Sequence, residues 1–186
     1  MTKEPVELAE QHKRTITYFL AKDAVADHNL GGFLGVGTAS EETGKKFAAL
    51  KEAGHDDGLT LHLLYRQPGG FSLIMVWVKP NFPLPRHSHD TDCMYYVATG
   101  SIVMGDKVLR AGDGFFVPRD CLYIYSAGPE GAEVLEIRCG PDVVNSYVPT
   151  IPGKRFETDL EVVKANAEHW KEMKAGPTLV ANVAAG

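Results

Sequence analysis

The sequence predicts an all-β fold: an antiparallel barrel or jelly roll carrying helical extensions at both ends. Three observations lead there. From Leu59 to about Tyr147, short segments rich in Val, Ile, Leu, Tyr and Phe follow one another, separated by Gly, Pro and Asp turns such as QPGG, KPNFPLP, ATG and AGDG. Strands at such close spacing build sandwiches and barrels. No connection in this window is long enough for the crossover helix that a parallel sheet requires. Outside the window the apolar spacing becomes that of helices.

The elements follow in order. Residues 1–58 read as an extension with a short helix around 5–20 and a flexible connector at GGFLGVGTAS (31–40). That connector lacks the Lys after its glycines, and the preceding strand, that a phosphate-cradling loop needs. Ser40 is placed to cap a helix running to about Leu50, with Phe47 and Leu50 facing inward and Gly54 just past its end. Residues 59–149 supply the strands LTLHLLYR, FSLIMVWVKP, CMYYVATG, SIVMGDKVL, DGFFVPR, LYIYSAG and AEVLEIRC. Residues 150–186 form a C-terminal extension with a helix at about 158–175. Thr158 and Glu161 make a capping box, Leu160, Val163, Ala167 and Trp170 form one apolar stripe, and Gly176–Pro177 is the stop. This helix is expected to dock on the barrel or on a second subunit.

Global properties restrict the function. With 186 residues, 44% hydrophobic and 23% charged, the chain is ordinary globular material for one domain with extensions. A net charge of −5 without a basic run argues against a nucleic-acid partner. Three cysteines (Cys93, Cys121, Cys139) make no closed disulfide framework. The start MTKEPVELAEQHKR has no apolar core for a signal peptide, and no apolar run approaches a membrane span. A cytoplasmic protein with no membrane partner is the expectation.

Chemistry concentrates at HSHDTDCMYYVATG (87–100). In a strand, residues i and i+2 share a face, so His87 and His89 project together, and neighbouring imidazoles suit zinc, iron, nickel or copper. His62 alternates with the apolar Leu61, Leu63 and Tyr65 and is read as a non-ligand. His12, His28 and His55 fall in charged or loop segments and are expected at the surface, and His169 receives no role.

The stretch resembles the first motif of the cupin superfamily: HxH, a glutamate a few residues on, then a glycine. His87, His89 and Gly100 match, and Cys93 occupies the glutamate's place. GDGFFVPRDCLY resembles the second motif, with Gly112 and Pro118 matching, Asp120 in place of a glycine and Tyr123 in place of the third histidine. The resemblance spans roughly 60–140 and implies a cupin-like barrel and a homodimer, with both extensions long enough to embrace a second barrel.

On that frame the odd positions 87, 89, 93, 95 and 97 face the cavity, and Cys121, Tyr123 and Tyr125 line it from the second motif. A cysteine thiolate is a good zinc ligand, so His87, His89 and Cys93 are the expected metal site with an open position. Tyr95, Tyr123 and Tyr125 are the candidates for proton transfer or substrate orientation. Glu136 or Glu133 of AEVLEIRC are further carboxylate candidates.

The expected function is a metalloprotein, holding one divalent transition metal, that acts on a small organic molecule inside the barrel. A lyase, isomerase or hydrolase step is expected of a Lewis-acid metal, and dioxygenase chemistry of iron. HSHDTDC also resembles the thiol-dioxygenase branch, but its third histidine and its Ser-His-Tyr relay have no match here. The alternative is a metal-free or non-catalytic binding module with His87 and His89 as polar anchors, since metal-free cupins bind or isomerise sugars with a His and a Tyr.

Overall fold

The structure, a computed structural model, describes residues 16–26, 40–67, 70–139, 153–173 and 176–178. Most of the expected N-terminal helix (5–15), the connector 31–39 and the segment 140–152 lie outside the described residues. Residues 16–20 carry no helix; a 3₁₀ turn, Ala21–Asp23, leads to a two-residue strand β1 (Val25–Ala26).

Helix α1 (Glu41–Glu52) forms where its caps dictate. The Ser40 hydroxyl accepts from the Thr43 amide at 3.2 Å, and Glu41 and Glu42 sit in the first turn, where negative charge is favoured. Gly54 takes φ 101°, the left-handed stop that a side chain would resist. Leu50 is fully buried and Phe47 packs against the core.

Seven further strands follow: β2 (Leu59–Arg66), β3 (Phe71–Val78), β4 (Pro83–His87), β5 (Asp92–Met104), β6 (Lys107–Arg110), β7 (Gly114–Val117) and β8 (Tyr123–Cys139). All pair antiparallel, in the order β1-β2-β3-β8-β5-β6, with β4 on β8 and β7 on β5. Two expectations need correction. CMYYVATG and SIVM are one strand, as are LYIYSAG and AEVLEIRC, because their glycines act as bends rather than as ends. Gly100 has φ 71°, and a Cβ there would lie 2.0 Å from the Gly131 carbonyl oxygen. The β5–β8 register shifts between Val97 and Thr99 and again between Gly100 and Ile102. These bulges bend the long β5–β8 pair.

The second correction concerns KPNFPLP, read as a turn. Pro83 begins β4, which pairs with β8 through Pro83, Leu84 and His87. Prolines lack an N–H and are tolerated here because β4 has a ladder partner on one side only. Ile74, Val76, Val97, Ile102, Val117, Ala132 and Val134 fill the interior.

The C-terminal helix, α2, spans Gly153–Glu172 and begins five residues earlier than its capping-box signature suggested. Thr158 lies inside it and donates back to the Lys154 carbonyl at 3.2 Å, an interior alternative to capping. The expected stripe is the docking face: Val163, Ala167 and Trp170 are buried and Leu160 packs against the core. The Trp170 indole N–H donates to the Pro80 carbonyl at 2.9 Å and its ring meets Phe82 at 5.5 Å. Lys79 reaches the Trp170 carbonyl at 2.7 Å and so serves one of the helix's terminal acceptors. His55, expected at the surface, is buried against Phe82 and Phe47.

Candidate functional site

The site is assembled by the turn between β4 and β5 meeting the turn before β8. The His89 carbonyl accepts from the Asp120 amide at 2.8 Å, and the Asp92 carboxylate accepts from the Arg119 amide at 2.8 Å. Asp120 takes φ 60°, a conformation asparagine and aspartate tolerate better than most residues. Asp therefore occupies the expected glycine's place without losing the turn.

The structure brings His87, His89, Cys93, Tyr95 and Tyr123 together, all buried. The two imidazoles are edge-to-face with centroids 5.0 Å apart, and His87 pairs with Tyr123 across β4 and β8 with rings 4.3 Å apart. Tyr125 is also buried, packed against Tyr123 and Phe115. Cys121, expected to line the cavity, precedes β8 and is exposed. Its parity argument failed because the strand begins only at Tyr123.

Two groups join from β8. Glu136 lies opposite Tyr95, and Arg138 opposite Cys93. Both are almost wholly buried, and the Arg138 Nε is 2.5 Å from Glu136 Oε1. Glu133, the other carboxylate candidate, points elsewhere. It accepts from the Thr178 amide at 2.9 Å and from Thr99 at 3.3 Å, and thereby anchors residues 176–178.

Counting protons gives the network a direction. The Tyr95 hydroxyl donates to Glu136 Oε1 at 3.0 Å. Its one proton is then used, so at the 2.6 Å contact between the two phenols Tyr123 is the donor. Tyr123 therefore accepts at its 3.0 Å contact with His89, whose Nε2 carries a proton. The line runs His89, Tyr123, Tyr95, Glu136, and ends on a carboxylate held by Arg138. His87 is fixed in the opposite tautomer, donating from Nδ1 to the Pro85 carbonyl at 2.8 Å.

Electrostatics follow from burial. Burial, then the neighbouring His89, pushes His87 down to about 4, so it is a neutral imidazole at physiological pH. Burial and the Glu136 carboxylate raise Tyr95 and Tyr123 well above the ordinary phenol range, and both keep their protons. Burial and then Glu136 push the Cys93 thiol up to about 12. Burial alone would raise Glu136, but Arg138 and His89 outweigh it and hold the carboxyl below its usual range.

His89, Cys93 and Glu136 each place one potential ligand atom within 4.8 Å of the other two. The set differs from the expected one by the exchange of His87 for Glu136. A nitrogen, a sulfur and an oxygen at such separations suit zinc in kind. Each is engaged, however: His89 toward Tyr123, Glu136 Oε1 toward Arg138 and Tyr95, and the thiol by its proton. The contacts from Arg138, Tyr95 and His89 meet on Glu136 Oε1, and a metal bound here would ionise the thiol.

The antiparallel barrel with its two motif loops side by side is cupin-like. No family model matches the sequence, and no curated protein is similar to it. Solved structures similar to it include KdgF from Halomonas sp., 19% identical with a TM-score of 0.42 over 45% of this chain and 81% of that one. An RmlC-like cupin from Shewanella frigidimarina NCIMB 400 is 25% identical, TM-score 0.41, over 45% and 78%. The polyketide cyclase RemF from Streptomyces resistomycificus is 22% identical, TM-score 0.42, over 59% and 84%. Among the described residues no helix is long and apolar enough to cross a membrane.

Proposed function

We propose that this chain is an enzyme that removes a proton from a small organic molecule held in the barrel, with His89 as the base. The observation that carries the reading is the directed line of hydrogen bonds, 3.0, 2.6 and 3.0 Å, from His89 through Tyr123 and Tyr95 to Glu136. In the neutral ring, the hydrogen bond to Tyr123 keeps the His89 proton on Nε2 and leaves Nδ1 as the basic nitrogen. When Nδ1 takes a proton, the imidazolium it forms lies with Nε2 3.5 Å from Glu136 Oε1. A carboxylate at that distance in a buried site offsets the charge and favours the transfer. Tyr95 and Tyr123, both protonated, act as positioning residues, and Tyr125 packs against Tyr123. Loss of a proton beside a carbonyl begins many isomerase and lyase steps.

Deuterium wash-in tests this. A panel of small ketones and keto acids incubated with the protein in D2O is expected to yield at least one member that gains deuterium. His89→Ala should abolish the exchange, and Tyr95→Phe should slow it by about 10²–10³-fold by breaking the line. No exchange across the panel, with those compounds shown to bind, would leave a binding module without turnover.

A second reading, the metal-dependent one, is favoured by the convergence of His89, Cys93 and Glu136. Once bound, the ion would contribute Lewis-acid polarisation, or oxidation chemistry if it is iron. Elemental analysis after reconstitution with zinc, iron, nickel and copper decides between the two. Close to one ion per chain, lost in Cys93→Ser and kept in His87→Ala, would establish the metal site; negligible metal under all four conditions would remove it.

A further inference from the structure

Ser72 carries a hydroxyl that the fold buries without a partner. The residue is 2% exposed, and among the described residues its Oγ makes no hydrogen bond. Buried polar atoms are rarely orphaned, so this oxygen marks a place where another molecule supplies the bond. Ser72 stands on the inner face of β3, two residues before the core side chain Ile74.

Register places its neighbours. Ser72 lies opposite Arg138 on β8 and opposite Arg66 on β2, and Arg138 lies opposite Cys93 on β5. Directly opposed residues share a face, so this row points into the barrel. The next row inward is Ile74, Glu136 and Tyr95, which carries the end of the proton line. Glu136 offsets the charge of Arg138, and Arg66, exposed at the rim, adds a second guanidinium. Among the described residues of these two rows, one positive charge is in surplus. His89 is close by. Arg138 Nε and His89 Nε2 lie 2.5 and 3.5 Å from the same Glu136 oxygen, and a His89 ring nitrogen is within 4.8 Å of the Cys93 sulfur.

We infer that Ser72, with Arg138 and Arg66 on either side, binds the carboxylate of the substrate, which is a short oxo acid rather than a neutral ketone. The inference rests on proton removal by His89 for the reacting carbon and adds the group that holds the molecule there. A carboxylate has two oxygens, which accept from a hydroxyl and a guanidinium together in charge-assisted hydrogen bonds. A neutral ketone has one oxygen and leaves the surplus charge unanswered. With the carboxylate fixed at Ser72, the carbonyl and its neighbouring C–H lie a few bond lengths away, toward His89. Loss of that proton to His89 leaves its electron pair in the C=C bond of an enolate, and a deuteron returned from solvent restores the ketone.

NMR titration and deuterium wash-in, each run with 2-oxobutanoate and with butanone, test the inference. The two compounds differ in one group, a carboxylate in place of a methyl. The native chain is expected to bind 2-oxobutanoate about 100-fold more tightly than butanone and to exchange deuterium into its C3 position. Ser72→Ala should weaken 2-oxobutanoate about 10- to 100-fold and leave butanone unchanged. Its denaturation midpoint should match or exceed the native one, because the change removes a buried hydroxyl without a partner among the described residues. Arg66→Ala, at the exposed rim, should weaken the acid a few-fold at low salt and not at high salt. Equal affinity for the two compounds, or a Ser72→Ala protein that binds the acid as the native chain does, would overturn the inference whether or not deuterium is exchanged. So would a native chain that binds neither. Ser72-dependent binding of the acid without exchange would uphold the carboxylate site and sink the role given to His89.

Discussion

Trp170→Ala is expected to destabilise the fold by about 3–5 kcal/mol while leaving the His89–Glu136 line intact. Trp170 is fully buried, its indole N–H is held by the Pro80 carbonyl, and its ring closes against Phe82. Burying a tryptophan removes roughly 200–250 Å² from water, which at about 25 cal/mol/Å² sets an upper bound near 5–6 kcal/mol. Truncation leaves an alanine methyl and a partly collapsing cavity, which brings the figure into the stated range. The Pro80 carbonyl also loses its donor. Trp170→Phe keeps the packing on Phe82 and loses only the hydrogen bond and some volume, so about 1–2 kcal/mol is expected for it. Urea denaturation measures both, and the melting temperature of Trp170→Ala should fall by about 10 °C. Because no α2 residue belongs to the line, the tyrosine and histidine NMR signals of the site should be unmoved. A Trp170→Ala protein within 1 kcal/mol of the native one would show that α2 does not dock through Trp170 and would refute the packing argument.

Two further outcomes are expected. Arg138→Met strands the Glu136 carboxylate in the interior and should cost about 3–5 kcal/mol by urea denaturation, while Glu136→Gln combined with Arg138→Met should recover much of it, because a buried pair is costly to break and cheaper to remove whole. Asp159, on the buried face of α2 and paired with Arg155 one turn earlier, is raised by burial more than Arg155 lowers it. A carboxyl whose folded pKa is raised opposes folding while ionised, and folding gains stability as pH falls through that raised value toward 3.8. Asp159→Asn should therefore be the more stable protein at pH 7, with the gap closing as the pH approaches 4 in thermal melts.

Much of the barrel was legible because alternation and turn residues are local signals. β2, β3, α1 and the apolar stripe of α2 fall where the sequence places them. The two motif turns were also readable, and Asp120, in the motif glycine's place, has the left-handed φ of 60°. What escaped was set by long-range register. β4 escaped because its prolines read as turn, and only pairing with β8 makes them strand. Arg138 went unnoticed, and the face of Glu136 stayed undecided, because glycine-centred bulges break the parity count along β5 and β8. One signal was available. Glu136 and Arg138 stand two apart in the otherwise apolar VLEIRC, so they share a face, and two charges on the buried face of a strand must pair.

That pairing also explains how the two motif departures fit each other. In the cupin pattern a glutamate at position 93 and a histidine at position 123 would converge with the histidine pair. Here both places hold side chains that keep their protons in a buried site, a thiol raised to about 12 and a phenol raised well above its usual range. A carboxylate has returned from a different strand, as Glu136, and it arrives with its own counter-charge 2.5 Å away on Arg138. Those changes act in one direction. An anionic ligand set attracts a cation, whereas protonated side chains in series ending on an already balanced carboxylate offer hydrogen-bond donors. On the proposed reading, the residues at 93 and 123 suit proton chemistry at His89. A metal at the same place must first ionise the thiol and displace His89 from Tyr123, and two free-energy costs of that kind are what a reconstitution experiment measures.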